Sequence, residues 1–375
     1  MPEGRGYRIA GMPNAHSHAF QRLLRGVGER PSGPDDSFWS WREAMYTLAD
    51  SLDPDEMRQH ASATFAEMTH SGYGAAGEFH YVHHQPGGQP YGDPNEMAIA
   101  VAQAAIEHQL PIVLLPAAYH RAGWDGSDLE PDGAQRRFAD ADVDVFLERV
   151  ERLRAWAGSD HGVTVGVAAH SVRAVPASWL KRIAAYSEEH DIVRHVHASE
   201  QPREVEEARA EHGCSPIELL ARTGFLGGRA SVVHGIHVDD RDVRLLGDTR
   251  TTVVTCPTTE GNLGDGRFPA LRYRDAGVPI AIGSDSQVRV DPFEEVRELE
   301  TGARREGLIR SALLAPAGNL WNALVAAGLV SLGLDDTALR AVELDLTHPS
   351  LRDVPPDDLP LAIATCASAD AVIHP

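Results

Sequence analysis

The chain has 375 residues, 42% apolar and 24% charged, enough for one large barrel domain or two to three ordinary ones. Its formal net charge of −21 repels nucleic acid and anionic membrane surfaces, so neither is an expected partner. No apolar run approaches the ~20 residues of a membrane helix, and the start of the chain does not resemble a signal peptide. The three scattered cysteines, Cys214, Cys256 and Cys366, fit a reducing, cytoplasmic setting better than a disulfide framework.

In chain order, short runs rich in Val, Ile and Ala fall at 8–12, 73–79, 112–119, 163–169, 192–196, 230–235, 252–256 and 279–282. They show little polar alternation, as expected of parallel strands buried on both faces. Helical patterns lie between them. Asp53-Pro54-Asp55-Glu56 offers a capping residue, a first-turn proline and a reciprocal glutamate, with Gly72 as the stop. Ser215-Pro216-Ile217-Glu218 repeats the device ahead of Gly224. Eight strands each followed by a helix predict an α/β fold, a (β/α)8 barrel over an open doubly wound sheet. Past 332 the pattern changes: 337–346 reads as one or two strands and Val354-Pro355-Pro356 as a turn. The expected division is therefore a barrel over 1–332 and a small appendage over 333–375.

Barrel chemistry sits at the carboxyl ends of the strands, and the candidate residues fall there. The first strand leads into Asn14-Ala15-His16-Ser17-His18, where i and i+2 histidines point the same way and can share one cation. The fifth ends in His195-Val196-His197-Ala198-Ser199-Glu200, with His197 as a third nitrogen ligand and Glu200 as a proton shuttle. The sixth closes with His234 and the eighth with Asp285, whose carboxylate can both bind a metal and accept a proton. Each residue alone has a structural reading; their conjunction points to one metal site. All but one of the 34 basic residues are arginines, and the exception, Lys181, lies in a helical stretch. His80, His83 and His84 read as polar residues lining a long active-site loop, Cys256 as a small buried residue, and His195 and His237 as structural or supporting groups.

The arrangement resembles the mononuclear deaminase branch of the amidohydrolase superfamily. The binuclear branch bridges its metals with a carboxylated lysine after the fourth strand, whereas here that strand ends Ala168-Ala169-His170-Ser171. More narrowly, six stretches are similar to the N-formimino-L-glutamate deiminases of histidine degradation. They are Gly11-Met12-Pro13-Asn14-Ala15-His16-Ser17-His18-Ala19-Phe20-Gln21-Arg22 with Phe38-Trp39-Ser40-Trp41-Arg42, then Gly77-Glu78-Phe79-His80-Tyr81-Val82-His83-His84 with Ala169-His170-Ser171-Val172-Arg173-Ala174-Val175, then His197-Ala198-Ser199-Glu200-Gln201 with Cys256-Pro257-Thr258-Thr259-Glu260-Gly261-Asn262-Leu263-Gly264. The resemblance implies one zinc ion, with Fe2+ or another divalent transition metal as the alternative, held by His16, His18, His197 and Asp285. Such a metal lowers the pKa of water to about 7. It further implies that Glu200 moves the proton, that His234 and Asp285 stabilise the tetrahedral adduct, and that ammonia and N-formyl-L-glutamate are released. Arg42 and Arg173, aided by Gln21, Tyr81 and His170, would grip the two carboxylates of the amidine substrate.

Two rival readings stand beside this one: a deaminase of the same branch acting on a purine, pyrimidine or nucleoside, and a truncated homologue without turnover. Only 15 residues precede His16, and the turn before the last strands reads Asp336-Thr337-Ala338-Leu339. The small β-sandwich of the family is therefore expected to be rudimentary or absent, and a homodimer is among the expected assemblies.

Overall fold

Buried runs of small and β-branched residues build the centre of the molecule. A computed structural model describes residues 6–30, 33, 36–123, 133–158, 162–314 and 319–374. Its strands are β1 (Gly6–Ala10), β2 (Met12–Ser17), β3 (Tyr73–His80), β4 (Ile112–Ala118), β5 (Val163–Val165), β6 (Val167–Ser171), β7 (Arg194–Ala198), β8 (Ala230–His234), β9 (Thr252–Thr255), β10 (Ile280–Ile282) and β11 (Ala341–Asp345). Eight of them run parallel in the order β2-β3-β4-β6-β7-β8-β9-β10, with β5 paired to β4. Backbone bonds close the ring: His16 O accepts from Ser284 N at 3.1 Å and Asp285 N at 3.0 Å, and His18 N donates to Asp285 O at 3.0 Å. The fold is thus the expected (β/α)8 barrel. Gly283 permits this closure, because a Cβ there would lie 2.6 Å from His16 O.

Two strands differ from their sequence reading. The run 163–169 is split at Gly166, where a Cβ would meet Leu115 and Val193 side-chain carbons at 2.8 and 2.9 Å. The first run, 8–12, is not the first barrel strand. Residues 6–10 pair antiparallel with β11 in a two-stranded sheet, and the barrel strand is Met12–Ser17. The physical cause is satisfaction of polar groups. Met12–Ser17 carries Pro13, Asn14, His16 and Ser17, which look unlike a strand, yet all six residues are buried. Asn14 Nδ2 donates to Ser284 Oγ (2.6 Å), Asn14 Oδ1 accepts from Ser284 N (3.0 Å), and Ser17 Oγ donates to Glu78 Oε2 (2.7 Å). The β1–β11 ribbon is what stands where a small sandwich was expected to be reduced or missing.

Both capped helices form where expected. α1 (Phe38–Ser51) precedes α2 (Pro54–Ser71), and in α2 Asp53 Oδ1 accepts from Glu56 N at 2.8 Å while Glu56 Oε2 accepts from Asp53 N at 3.0 Å. Ser215 likewise caps Glu218 N at 3.1 Å. The helix Leu320–Leu332 packs across β2 and β10, and Trp321 Nε1 donates to Ala10 O at 2.9 Å, tying the ribbon to the barrel. Beyond it, Leu359–Thr365 forms a short helix that the sequence reading did not contain; it packs on the helices Pro292–Gly307 and Leu320–Leu332. Under the site, Ala15, Val233, Val254, Cys256 and Ala281 fill the barrel interior, so Cys256 is a packing residue. Among the described residues no helix is long and apolar enough to cross a membrane.

Candidate metal centre and active site

His16 on β2 and His18 just beyond it turn their rings toward His197 on β7. His16 Nε2 lies 3.2 Å from His18 Nε2 and 3.0 Å from His197 Nε2, and Asp285 Oδ1 is 3.4 Å from both His16 Nε2 and His18 Nε2. Four ligands at tetrahedral zinc-type bond lengths sit roughly 3.3 Å from one another. The outer nitrogens are committed elsewhere: His18 Nδ1 donates to Phe79 O and His197 Nδ1 to His170 O, each at 2.7 Å. Those carbonyls only accept, so the Nε2 lone pairs face inward. Burial disfavours protonation of all three rings; it takes His16 down to about 3, with the Asp285 contact only partly offsetting it. Converging neutral nitrogens beside a carboxylate are mutually repulsive without a cation. The donor set fits a divalent transition metal.

His234 ends β8 on the other side of Asp285. Its Nδ1 is 3.3 Å from Glu260 Oε1, and its Nε2 is 3.5 Å from Glu200 Oε1 and 3.9 Å from Asp285 Oδ2. Burial opposes the imidazolium, but the charges of Glu200, Glu260 and Asp285 outweigh it and hold His234 well above its ordinary pKa. Glu200 is pushed up to about 7 by burial, with Asp285 and Glu204 adding and His234 and Arg173 opposing. A carboxylate in that range can both take and return a proton near neutral pH.

The loops that aim these groups are strained. Ser199, His234 and Asp285 have φ of 58°, 72° and 46°, a left-handed conformation that costs a non-glycine residue on the order of 1 kcal/mol or more. Surrounding polar contacts hold them there. Glu204 accepts from Ser199 N and Glu200 N at 3.0 Å each, fixing the bend after β7. Gln287 Nε2 donates to Asp285 O at 2.7 Å and to Ser17 Oγ at 3.0 Å.

A pocket opens above the centre, lined by His18, Asp285, His197, Glu200 and His234 at its floor and by α1 at its wall. Every sequence-predicted substrate contact lines it: Gln21, Arg42, Tyr81, His170 and Arg173. Gln21 Nε2 donates to Tyr81 OH at 2.8 Å while Gln21 Oε1 is buried without a partner. The Arg42 guanidinium lies over Trp39 and Tyr46, at 4.6 and 5.3 Å from the ring centroids, with Nε buried and unpartnered. Arg173 is buried and its Nη1 has no hydrogen-bond partner.

His80, His83 and His84 do not line an active-site loop as expected: His80 ends β3, and all three are buried and line neither this pocket nor a metal cluster among the described residues. They surround the buried Arg149–Asp140 ion pair, with His83 Nδ1 3.1 Å from Arg149 Nη1 and His84 Nε2 3.9 Å from Asp140 Oδ1. His195 Nε2 donates to Ser331 O at 2.9 Å and is structural. Lys181 is exposed on the helix Ala177–Glu189. Sequence reasoning gave no role to Glu204, Glu260 or Asp265. Glu260 lies inside 256–264, one of the stretches that carry the family resemblance; Glu204 and Asp265 carry no local signal.

Fold and constellation together define a barrel hydrolase with a three-histidine, one-carboxylate centre and an adjacent buried glutamate. The chain belongs to the amidohydrolase family, which it matches over residues 7–321, and is a hydrolase of C–N bonds of the deaminase kind. It is 37% identical over 333 residues to the formimidoylglutamate deiminase of Pseudomonas aeruginosa, covering 88% of this chain and 72% of that one. It is 28% identical over 355 residues to the 5-methylthioadenosine/S-adenosylhomocysteine deaminase of Haloarcula marismortui, covering 92% and 74%. Among solved structures, an amidohydrolase from Brucella melitensis superposes with a TM-score of 0.87 at 34% identity, covering 94% of this chain and 80% of that one.

Proposed function

We propose that the chain deiminates N-formimino-L-glutamate, giving N-formyl-L-glutamate and ammonia. The observation that carries this reading is the pair of guanidinium groups, Arg42 and Arg173, presenting unpartnered buried N–H groups to one pocket. A guanidinium grips a carboxylate in a fork, and two of them suit a ligand with two separated carboxylates. This local arrangement counters the repulsion that a chain of charge −21 exerts on the two carboxylates.

One zinc ion, or ferrous iron in its place, held by His16, His18, His197 and Asp285, would supply Lewis acidity and bring the pKa of a water to about 7. Glu200 takes the proton from the attacking water and delivers it to the departing nitrogen. His234, kept charged by its three carboxylate neighbours, holds the attacking oxygen in place and, with Asp285, stabilises the tetrahedral adduct, while the imino nitrogen takes up the electron pair and the proton. The adduct collapses, the C–N bond to the imino nitrogen breaks, and ammonia leaves. Gln21, Tyr81 and His170 orient the chain of the substrate between the two arginines.

A purine or nucleoside is the second reading, favoured by Phe38, Trp39, Trp41 and Tyr46 in the wall. Two of those four faces are already used: Trp39 is covered by Arg42 at 4.6 Å and by Arg203 at 4.7 Å, and Tyr46 by Arg42. A charge-assisted contact contributes ~1.5–3 kcal/mol, or roughly 10- to 150-fold in rate at 1.36 kcal/mol per tenfold. Arg42→Met and Arg173→Met should each lose about that much kcat/KM on N-formimino-L-glutamate while retaining metal. Unchanged efficiency in both variants would contradict the reading.

A further inference from the structure

Asp265 takes no part in the chemistry above, yet it is placed beside it. The helix Pro257–Leu263 ends at Gly264, and Asp265 stands between two glycines with φ of 70° and 126°. A Cβ on Gly266 would lie 3.2 Å from His237 Cε1, and His237 Nε2 donates to Asp265 O at 2.7 Å, so the turn is clamped from both sides. Asp265 is 2% exposed. Gln201 Nε2 donates to Oδ1, while Oδ2 is buried with no hydrogen-bond partner among the described residues. A carboxylate oxygen of Asp265, one of Glu200 and a ring nitrogen of His234 lie within 4.8 Å of one another.

Two carboxyl groups this close in a dry site do not both ionise. The charged groups facing them are His234 from β8, Glu260 from the helix Pro257–Leu263, Glu204 beyond β7, Asp285 beyond β10, and Arg173 beyond β6. Glu260 is engaged by Thr255 Oγ1 at 2.7 Å and Cys256 N at 2.8 Å, and Glu204 by two backbone N–H groups. Asp285 is engaged by His16 and His18. That leaves Glu200 and Asp265 to share a proton, and the unpartnered Oδ2 is the oxygen able to carry it.

We propose that Asp265 is a positioning residue whose neutral carboxyl group, oriented by Gln201, holds a proton beside Glu200 and keeps that carboxylate turned toward His234. It does not touch substrate. Burial, together with the charge of Glu200, pushes Asp265 up to about 9, in keeping with a neutral group at working pH. The inference rests on Glu200 being the proton shuttle, but the proton itself is read without turnover.

The test uses infrared difference spectroscopy on the metal-loaded protein. Near neutral pH the parent should show the C=O stretch of a protonated carboxyl that D265N lacks, and the band should fade as pH rises through about 9. Should D265N fail to fold, side-chain 13C-aspartate labelling of the parent should shift the same band. Glu78 and Glu295, also held far above their usual range, are glutamates and would not respond, and the two other aspartates raised by burial, Asp242 and Asp291, are told apart by D242N and D291N. In kinetics D265N should lose about tenfold in kcat at unchanged KM, short of the ~100-fold or more for removing the shuttle, with its alkaline limb displaced upward. A band that neither substitution nor labelling moves would overturn the proposal. So would a second metal equivalent per chain, which would place a cation among Glu200, His234 and Asp265. If the protein ignores formiminoglutamate while the band belongs to Asp265, the substrate reading fails and this one stands.

Discussion

Glu200 separates a catalytic reading from a purely structural one more sharply than any other side chain. Its backbone is tied by Glu204, and the contact of its own carboxylate is His234 Nε2 at 3.5 Å. Glu200→Gln preserves shape and removes the proton-accepting oxygen. Turnover should fall by at least ~100-fold with metal content unchanged; activity like that of the parent would take Glu200 out of the mechanism. The residues of the centre were legible because histidines two apart at a strand end, and single polar residues closing later strands, can be placed by period alone. Glu204, Glu260 and Asp265 were not. Each acts through contacts fixed only when separate loops meet, such as Glu260 under His234, 26 positions away in sequence.

Arg42 is only as well placed as the helix that carries it. α1 is fastened from below by Arg137, which is fully buried and donates to Ala49 O, to Leu52 O at 2.7 Å and to His84 O at 2.7 Å. One side chain thus joins the end of α1 to the loop after β3. Arg137→Met leaves three buried carbonyls short of a donor. We expect a loss of at least ~2 kcal/mol in urea denaturation, and a rise in KM larger than the fall in kcat, since Arg42 and Tyr46 lose their support. A fall confined to kcat would mean that α1 does not hold substrate. At this scale the capped helices were legible because Asp53-Pro54-Asp55-Glu56 satisfies its own orphan donors locally. The first barrel strand was not, because Pro13, Asn14 and Ser17 look like loop until Ser284 and Glu78 supply their partners.

Across the whole molecule, the barrel seam and the metal centre are the same place. His16 O closes the ring with Ser284 N and Asp285 N while His16 Nε2 faces the other ligands. A cation there is therefore bound to the folded barrel and not to the unfolded chain, and its removal should cost stability. Metal at 100-fold over its Kd stabilises by ~2.7 kcal/mol. We expect one metal equivalent per chain, a Tm that falls on chelation, and recovery on re-adding zinc; a Tm indifferent to chelation would mean that the four ligands are not a metal site. The parallel barrel was legible from the apolar runs after the first and their spacing, whereas the pairing of β1 with β11 joins residues more than 300 positions apart, so the two strand-like runs at 8–12 and 337–346 gave no sign that they meet.

Substrate choice is the central claim, because neither the fold nor the metal centre decides it. The most direct measurement is ammonia release by the metal-loaded protein from N-formimino-L-glutamate, compared with S-adenosylhomocysteine, guanine and cytosine under the same conditions. With Arg42 and Arg173 both reading carboxylates, kcat/KM on formiminoglutamate should exceed the others by at least ~100-fold, about what one to two charge-assisted contacts supply. Faster deamination of the nucleoside or of either base would contradict it.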